Sequence, residues 1–254
     1  MNGKIEVQNQ NEDKPWFMYD RLAHSFREIS LNRKPWIDAI NSYIIKHLKP
    51  SDKLIDIGAG DGARARNIAD TVGINEIELV EPSAEMSKLS NTIPHSKTYT
   101  VSAESLLGVK NRSFYDAVLC LWNVLGHIPS FETRVKAIKN MVKLVKDDGT
   151  IFLDVNNRYN IQAYGDIAKN NIKNDKNHPE GLTGKNGDVR YEMNIGGETI
   201  PASGHVFTKE ELELIVREAG ATIDKTIFFD YDTGEIVNSE LEGQILLLIK
   251  KVLT

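Results

Sequence analysis

Lys53-Leu54-Ile55-Asp56-Ile57 is a short apolar strand pattern that runs straight into Gly58-Ala59-Gly60-Asp61-Gly62, and Ala63 to Thr71 follows as a helix. Three glycines at alternate positions between a strand and a helix leave few folds open. Glycine lets the backbone turn sharply and approach another group with no Cβ in the way. The helix that follows offers unpaired N–H groups to a negative or polar group.

The rest of the chain repeats the same strand–helix rhythm. Glu76 to Val80 is strand-like, and Ser83 is placed to N-cap a helix through Leu89. Lys97 to Val101 reads as a third strand and Tyr115 to Leu121 as a central buried one. Phe131, Val135, Ile138, Val142 and Val145 mark a helix expected to stop at Asp147-Asp148-Gly149, with Thr150 to Val155 as the next strand. Thr208 and Glu211 form a capping-box pattern ahead of the apolar face Leu212, Ile215, Val216 and Ala219, and Gly220 closes that helix. Thr222 to Phe229 and Gln244 to Val252 are the last two strand candidates. Such alternation means a parallel sheet with helices on both faces.

Two segments stand outside the rhythm. From Trp16 to Leu48, apolar residues recur at helical spacing with a break near Asn32 to Pro35, which predicts cap helices over 16–48. Residues 158–204 read as a lid insertion: Asn170 to Asp188 as loop, then Val189 to Ile195 and Glu198 to Pro201 as a hairpin about Gly196-Gly197. Residues 1–14 read as a flexible tail and 15–254 as one domain. A formal charge of −5 argues against a global basic field that would recruit nucleic acid, and the single cysteine, Cys120, gives neither an internal disulfide nor a zinc-ligand spacing. With no apolar stretch long enough for a signal peptide or membrane span, a cytoplasmic protein is expected, without a metal.

The glycine loop suits two ligand classes, a dinucleotide or a nucleoside with a carboxylate tail such as S-adenosylmethionine. Glu81 falls at the end of the second strand, where a carboxylate accepts both ribose hydroxyls. Ser102-Ala103-Glu104 falls at the end of the third, where an acid or a backbone amide meets an adenine edge. Single strand-end acids are commonly just solvated, but here they fall at consecutive carboxyl ends, where open α/β sheets bind ligands.

Together these residues resemble the class I, Rossmann-like S-adenosylmethionine-dependent methyltransferases, over about residues 16–252. Asp56 to Gly62 matches that family's first motif, in which the acid and the glycines (Asp56, Gly58, Ala59, Gly60 and Gly62 here) surround the methionine part of the cofactor. Glu81-Pro82-Ser83 with Met86 is similar to the second, with the acid on the ribose and the apolar residue against adenine. Ala103-Glu104 is similar to the third. Asp116 to Cys120 resembles the fourth strand, after which Leu121, Trp122 and Asn123 lie where cofactor and acceptor meet. Tyr19-Asp20-Arg21-Leu22-Ala23 resembles a helix that covers the cofactor in relatives, bringing in Tyr19, and Arg33 is placed to reach the cofactor carboxylate. The resemblance implies an open, mostly parallel seven-stranded sheet with helices on both faces, an antiparallel last strand and the lid after strand five.

A loose dinucleotide fingerprint (Gly58, Gly60, Ala63) keeps an NAD(P) oxidoreductase as the competing reading, although Asp56 would repel a pyrophosphate. A methyltransferase-like subunit that binds without catalysing is the other. For methyl transfer, the acidic balance favours a small-molecule acceptor with a nitrogen or oxygen nucleophile. His127 is the nearest candidate base, His205 the second, and His24 faces either way on the first helix. Trp16, Tyr19 and Trp122 are candidates for an aromatic wall, whereas Trp36 reads as core.

Overall fold

A computed structural model describes residues 16–109, 112–177, 186–195 and 198–252. The expected tail and the Gly196-Gly197 turn lie outside the described residues. Three short helices come first, α1 (Phe17–Leu22), α2 (Phe26–Leu31) and α3 (Lys34–Ile45). The alternating core follows as β1 (Leu54–Ile57), α4 (Ala63–Val72), β2 (Ile77–Val80), α5 (Ala84–Ser90), β3 (Ser96–Tyr99), β4 (Tyr115–Cys120), α6 (Phe131–Leu144) and β5 (Val145–Val155). The insertion holds α7 (Ile161–Tyr164), α8 (Asp166–Asn177) and the antiparallel pair β6 (Asp188–Ile195) and β7 (Glu198–His205). The chain closes with α9 (Lys209–Glu218), β8 (Ala221–Phe229), β9 (Ile236–Val237) and β10 (Gln244–Lys251).

The main sheet runs β3-β2-β1-β4-β5-β10-β8-β9. Strands β1 to β5 are mutually parallel, and β10 enters antiparallel between β5 and β8. The expected antiparallel last strand is present, but the sheet has eight strands, not seven. The extra one, β9, is two residues long and pairs with Phe228 and Phe229, too short for any periodicity to announce it. Ile245 to Ile249 on β10 are all buried, as a strand covered on both faces requires. One apolar cluster under α6 and α9 and another under α3 and α4 sandwich the sheet.

Two expectations are corrected. Asp147-Asp148-Gly149 does not end α6: the helix stops at Leu144, and Val145 already pairs with Tyr115. The register then shifts, so that Ala117 pairs with Thr150, and the acidic triplet occupies the bulge. Gly149 is needed there because a Cβ would stand 2.8 Å from the Asp116 carbonyl oxygen. Likewise, Asn170 to Asp188 is not all loop, since α8 runs to Asn177. That polar helix is anchored by one buried fork, in which Arg158 donates through Nε and Nη2 to the two carboxylate oxygens of Asp175 at 2.7 and 3.1 Å.

Candidate active site

The carboxyl ends of β1, β2, β4 and β5 open beneath α1, α2 and the β6–β7 hairpin and border a half-open cavity of about 510 Å³. Gly58, Gly60 and Gly62 all have positive φ, near 57–78°, so the loop after β1 takes a path that other residues adopt only under strain. At Gly58 there is also no room, because a Cβ would lie 2.5 Å from both Val124 methyls. Thr208 caps α9 as expected, but Glu211 does not complete the box; its carboxylate goes to His205.

Glu81 is 5% exposed at the end of β2. Its two oxygens accept from the Gly60 and Ser83 amides, each at 2.8 Å. An ionised carboxylate accepts about four hydrogen bonds, so acceptor capacity for two hydroxyls remains. Burial pushes its pKa up to about 7, against the pull of the two amides. Helix α1 is clamped above it, since Asp20 accepts from Ser83 Oγ at 2.6 Å and from the Glu85 amide at 3.2 Å. Ala103 and Glu104 reach the same cavity on a 3-10 turn, with the Ala103 carbonyl held by Asn140 of α6 at 3.2 Å.

Beside the glycine loop lies a second cavity of about 280 Å³, lined by Asp56, Ala59 and Arg64 under α2 and α3. Asp56 Oδ1 and Arg64 Nη1 are both buried without a hydrogen-bond partner. Burial raises the Asp56 pKa to about 6, with Arg64 opposing. An unpaired acid oxygen and an unpaired guanidinium nitrogen flanking one space fit the ammonium and carboxylate of an amino acid. Phe26 stands between the two cavities, 5.3 Å from Trp122 and close over Gly60.

The segment after β4 is held against its own preference. Trp122 and Asn123 take consecutive left-handed conformations, φ 63° and 57°. Asp154, fully buried at the end of β5, accepts from both of their amides and from Arg64 Nη2 at 3.3 Å. Asn123 lines the cavity, but its side chain is spent on the scaffold: Oδ1 accepts from the Asn156 amide at 3.0 Å, and Nδ2 donates to the His205 carbonyl at 3.2 Å.

This turn delivers His127. Its Nδ1 lies 3.2 Å from the Ser203 carbonyl, which only accepts, so Nδ1 carries the proton. Nε2 is then an acceptor, and Tyr19 donates to it at 2.9 Å. Burial lowers the His127 pKa and raises that of Tyr19, so the pair is neutral as drawn. His205 is elsewhere. It is 1% exposed, between Asp188 at 2.7 Å and Glu211 at 2.9 Å, at the base of the hairpin. His24 is exposed.

The large cavity thus gathers Tyr19, Arg33, Gly58, Gly60, Glu81, Pro82, Ala103, Glu104, Leu121, Trp122 and Asn123 from the sequence expectations, along with Trp16. Asp56 and Ala59 line the smaller one. Met86 is fully buried within α5, and Gly62 faces Leu79, so neither borders the large cavity. Trp36 is core, edge-on to Tyr231. Sequence reasoning missed Phe26, Asn156, Tyr164, Tyr191 and Tyr231, which come from α2, α7, β6 and the segments after β5 and β8 and share no spacing.

A family model described as a methyltransferase domain matches residues 25–226, well over half of the chain. An uncharacterised protein of Methanocaldococcus jannaschii is 28% identical over 226 residues, covering 88% of this chain and 80% of that protein. Among solved structures, a Methanosarcina mazei S-adenosylmethionine-dependent methyltransferase superposes with a TM-score of 0.62 at 18% identity, over 84% of this chain and 98% of that one. The 1,6-didemethyltoxoflavin-N1-methyltransferase of Burkholderia thailandensis, solved with 1,6-didemethyltoxoflavin and S-adenosylhomocysteine bound, gives a TM-score of 0.59 at 13% identity, over 92% of this chain and 85% of that one.

Proposed function

The chain belongs to the methyltransferase domain family, and we propose that it moves a methyl group from S-adenosylmethionine to a nitrogen or oxygen of a small molecule held in the large cavity. The competing oxidoreductase reading falls with the family match. The observation that carries the proposal is the pairing of a ribose-type carboxylate, Glu81, with an unsatisfied acid–base pair, Asp56 and Arg64, on either side of one glycine loop.

When bound, the cofactor supplies a methyl group already activated on a sulfonium, so the protein's task is alignment and exclusion of water. Glu81 would hold the ribose through its spare lone pairs, Ala103 and Glu104 would face the adenine, and Asp56 and Arg64 would take the amino-acid end. Leu121 and Trp122, which line the cavity, would lie at the junction with the acceptor. An acceptor N–H or O–H must lose a proton. Tyr19 and His127 are arranged to remove it, with Tyr19 taking the acceptor's proton as its own passes to Nε2. The volume of the cavity under α1 and the hairpin, about 510 Å³, suits a small acceptor.

Calorimetry on ligand-free protein tests the cofactor: S-adenosylhomocysteine binds and NADH does not. Labelled S-adenosylmethionine offered with a panel of small amines, phenols and acids then tests transfer. Binding of S-adenosylhomocysteine with no transfer to any acceptor, alone or in cell extract, would favour a non-catalytic subunit.

A further inference from the structure

The end of the large cavity near β8 and β10 has a character of its own. Tyr164 ends α7, Tyr191 lies on β6 and Tyr231 follows β8, and all three border it. Burial chiefly raises the pKa of Tyr164 and of Tyr191, with Tyr231 adding to both and Arg33 opposing at Tyr164. The Arg33 guanidinium lies flat over Tyr231, 4.0 Å from the ring centre.

Position along the sheet separates Tyr231 from the glycine loop. From β1 the order runs through β4, β5 and β10 to β8. Four strand spacings amount to roughly 19 Å. Among the described lining residues, Arg33 is the sole lysine or arginine, while the acids Glu81 and Glu104 stand at the β2 and β3 end. The cavity is therefore polarised, acid where the nucleoside would lie and cationic across from it. Between the two, at the end of β5, the side-chain oxygen of Asn156 is buried without a partner.

We infer that the β8 end is the acceptor subsite and that it takes a planar aromatic or heteroaromatic carboxylic acid; the inference rests on the methyltransferase reading above. A guanidinium stacked on a tyrosine presents a planar fork that matches a carboxylate. The three tyrosines give an aromatic ring faces and edges to pack on. Asn156 accepts from an N–H or O–H on that ring. Arg33 at present donates through Nη1 to Asp232 at 2.5 Å, but Asp232 is 70% exposed, and such surface pairs contribute little. A carboxylate in the cavity replaces it as the better partner.

The test uses the full chain saturated with S-adenosylhomocysteine and three probes of one shape, benzoate, benzamide and benzylamine, by ligand-observed NMR. Benzoate should bind at least about tenfold more tightly than the other two. Arg33→Gln should remove that preference. Tyr191→Leu should weaken all three probes alike. Equal binding of benzylamine and benzoate overturns the inference. So does an Arg33→Gln variant that keeps the preference, or that loses S-adenosylhomocysteine instead, which would put Arg33 on the cofactor carboxylate. Failure of S-adenosylhomocysteine to bind the unmutated protein sinks the methyltransferase reading itself.

Discussion

Tyr19 donates its hydroxyl proton to Nε2 of His127 at 2.9 Å, across 108 positions of sequence. Their rings also meet edge to face, with centres 5.3 Å apart. The bond closes α1 over the turn after β4, and it keeps the imidazole neutral because an acceptor nitrogen cannot carry a proton. Loss of the hydroxyl should therefore favour the imidazolium.

Tyr19→Phe is expected to raise the His127 pKa only part of the way, because the hydrogen bond that favours the neutral ring is lost while the burial that chiefly lowers the pKa remains. Once an acceptor is in hand, the acid limb of the pH–rate profile should move up with it, and kcat should fall by about tenfold to a hundredfold. Imidazole NMR titration reads the shift directly. A pKa that stays put or drops further would mean that the pair does not set the protonation state of His127.

Cofactor affinity should rise with pH. Glu81 and Asp56 have pKa values raised to about 7 and about 6, chiefly by burial. Ribose hydroxyls and an ammonium both prefer the ionised carboxylates, so binding drives protons off. For the empty protein the sign is opposite: a raised carboxylate pKa costs stability as pH climbs from the unfolded value through the folded one. Titrating S-adenosylhomocysteine between pH 5.5 and 8 should tighten Kd by about thirtyfold from Glu81 alone. Calorimetry in buffers of different ionisation enthalpy should detect the released proton. Affinity that is flat, or that weakens toward pH 8, excludes this role for the two acids.

Much of the fold was legible because the core repeats one device. Strand, glycine or acid, and helix recur with enough apolar residues to set the period, and β1, α4, β4 and α9 fall where that pattern puts them. Asp147-Asp148-Gly149 misled because the same three residues suit a helix stop and a strand bulge, and only the Asp116 carbonyl behind Gly149 distinguishes them. Helix α8 was hidden by composition: it buries little beyond Ala168 and Asp175, so it has no apolar stripe to read. The half of the cavity nearest the glycine loop was visible as contiguous motifs. The far half was not, because Asn156, Tyr164, Tyr191 and Tyr231 come together only through the crossing of β10 between β5 and β8 and the fold of the insertion.

Gly58→Ala should abolish cofactor binding through two separable effects. The added Cβ meets both Val124 methyls at 2.5 Å, and φ of 78° adds strain of about 1 kcal/mol for a non-glycine residue. Val124→Ala removes the methyls and leaves Val124 Cβ at 3.1 Å, a contact that a small shift relieves. The double variant should therefore recover part of the stability and part of the S-adenosylhomocysteine affinity lost by Gly58→Ala. Thermal melts with and without S-adenosylhomocysteine measure both. No recovery in the double variant would assign the whole defect to the backbone conformation.

Asp154 concentrates the energy of the site in one buried carboxylate. Burial alone pushes its pKa up, and Arg64 with the Trp122 and Asn123 amides pulls against that. Those amides belong to two left-handed residues in succession, a conformation that needs an external acceptor to persist. Asp154→Ala removes the acceptor and also leaves the Arg64 guanidinium without its buried counter-charge. A loss of about 3–5 kcal/mol in unfolding free energy follows, measured by urea titration. Asp154→Asn keeps an oxygen for the amides and forfeits only the charge, so it should cost about half as much. Its S-adenosylhomocysteine affinity should still suffer, because Arg64 is freed to pair with Asp56 across the smaller cavity. Equal stability of the alanine and asparagine variants would show that the turn after β4 holds itself and that Asp154 serves Arg64 alone.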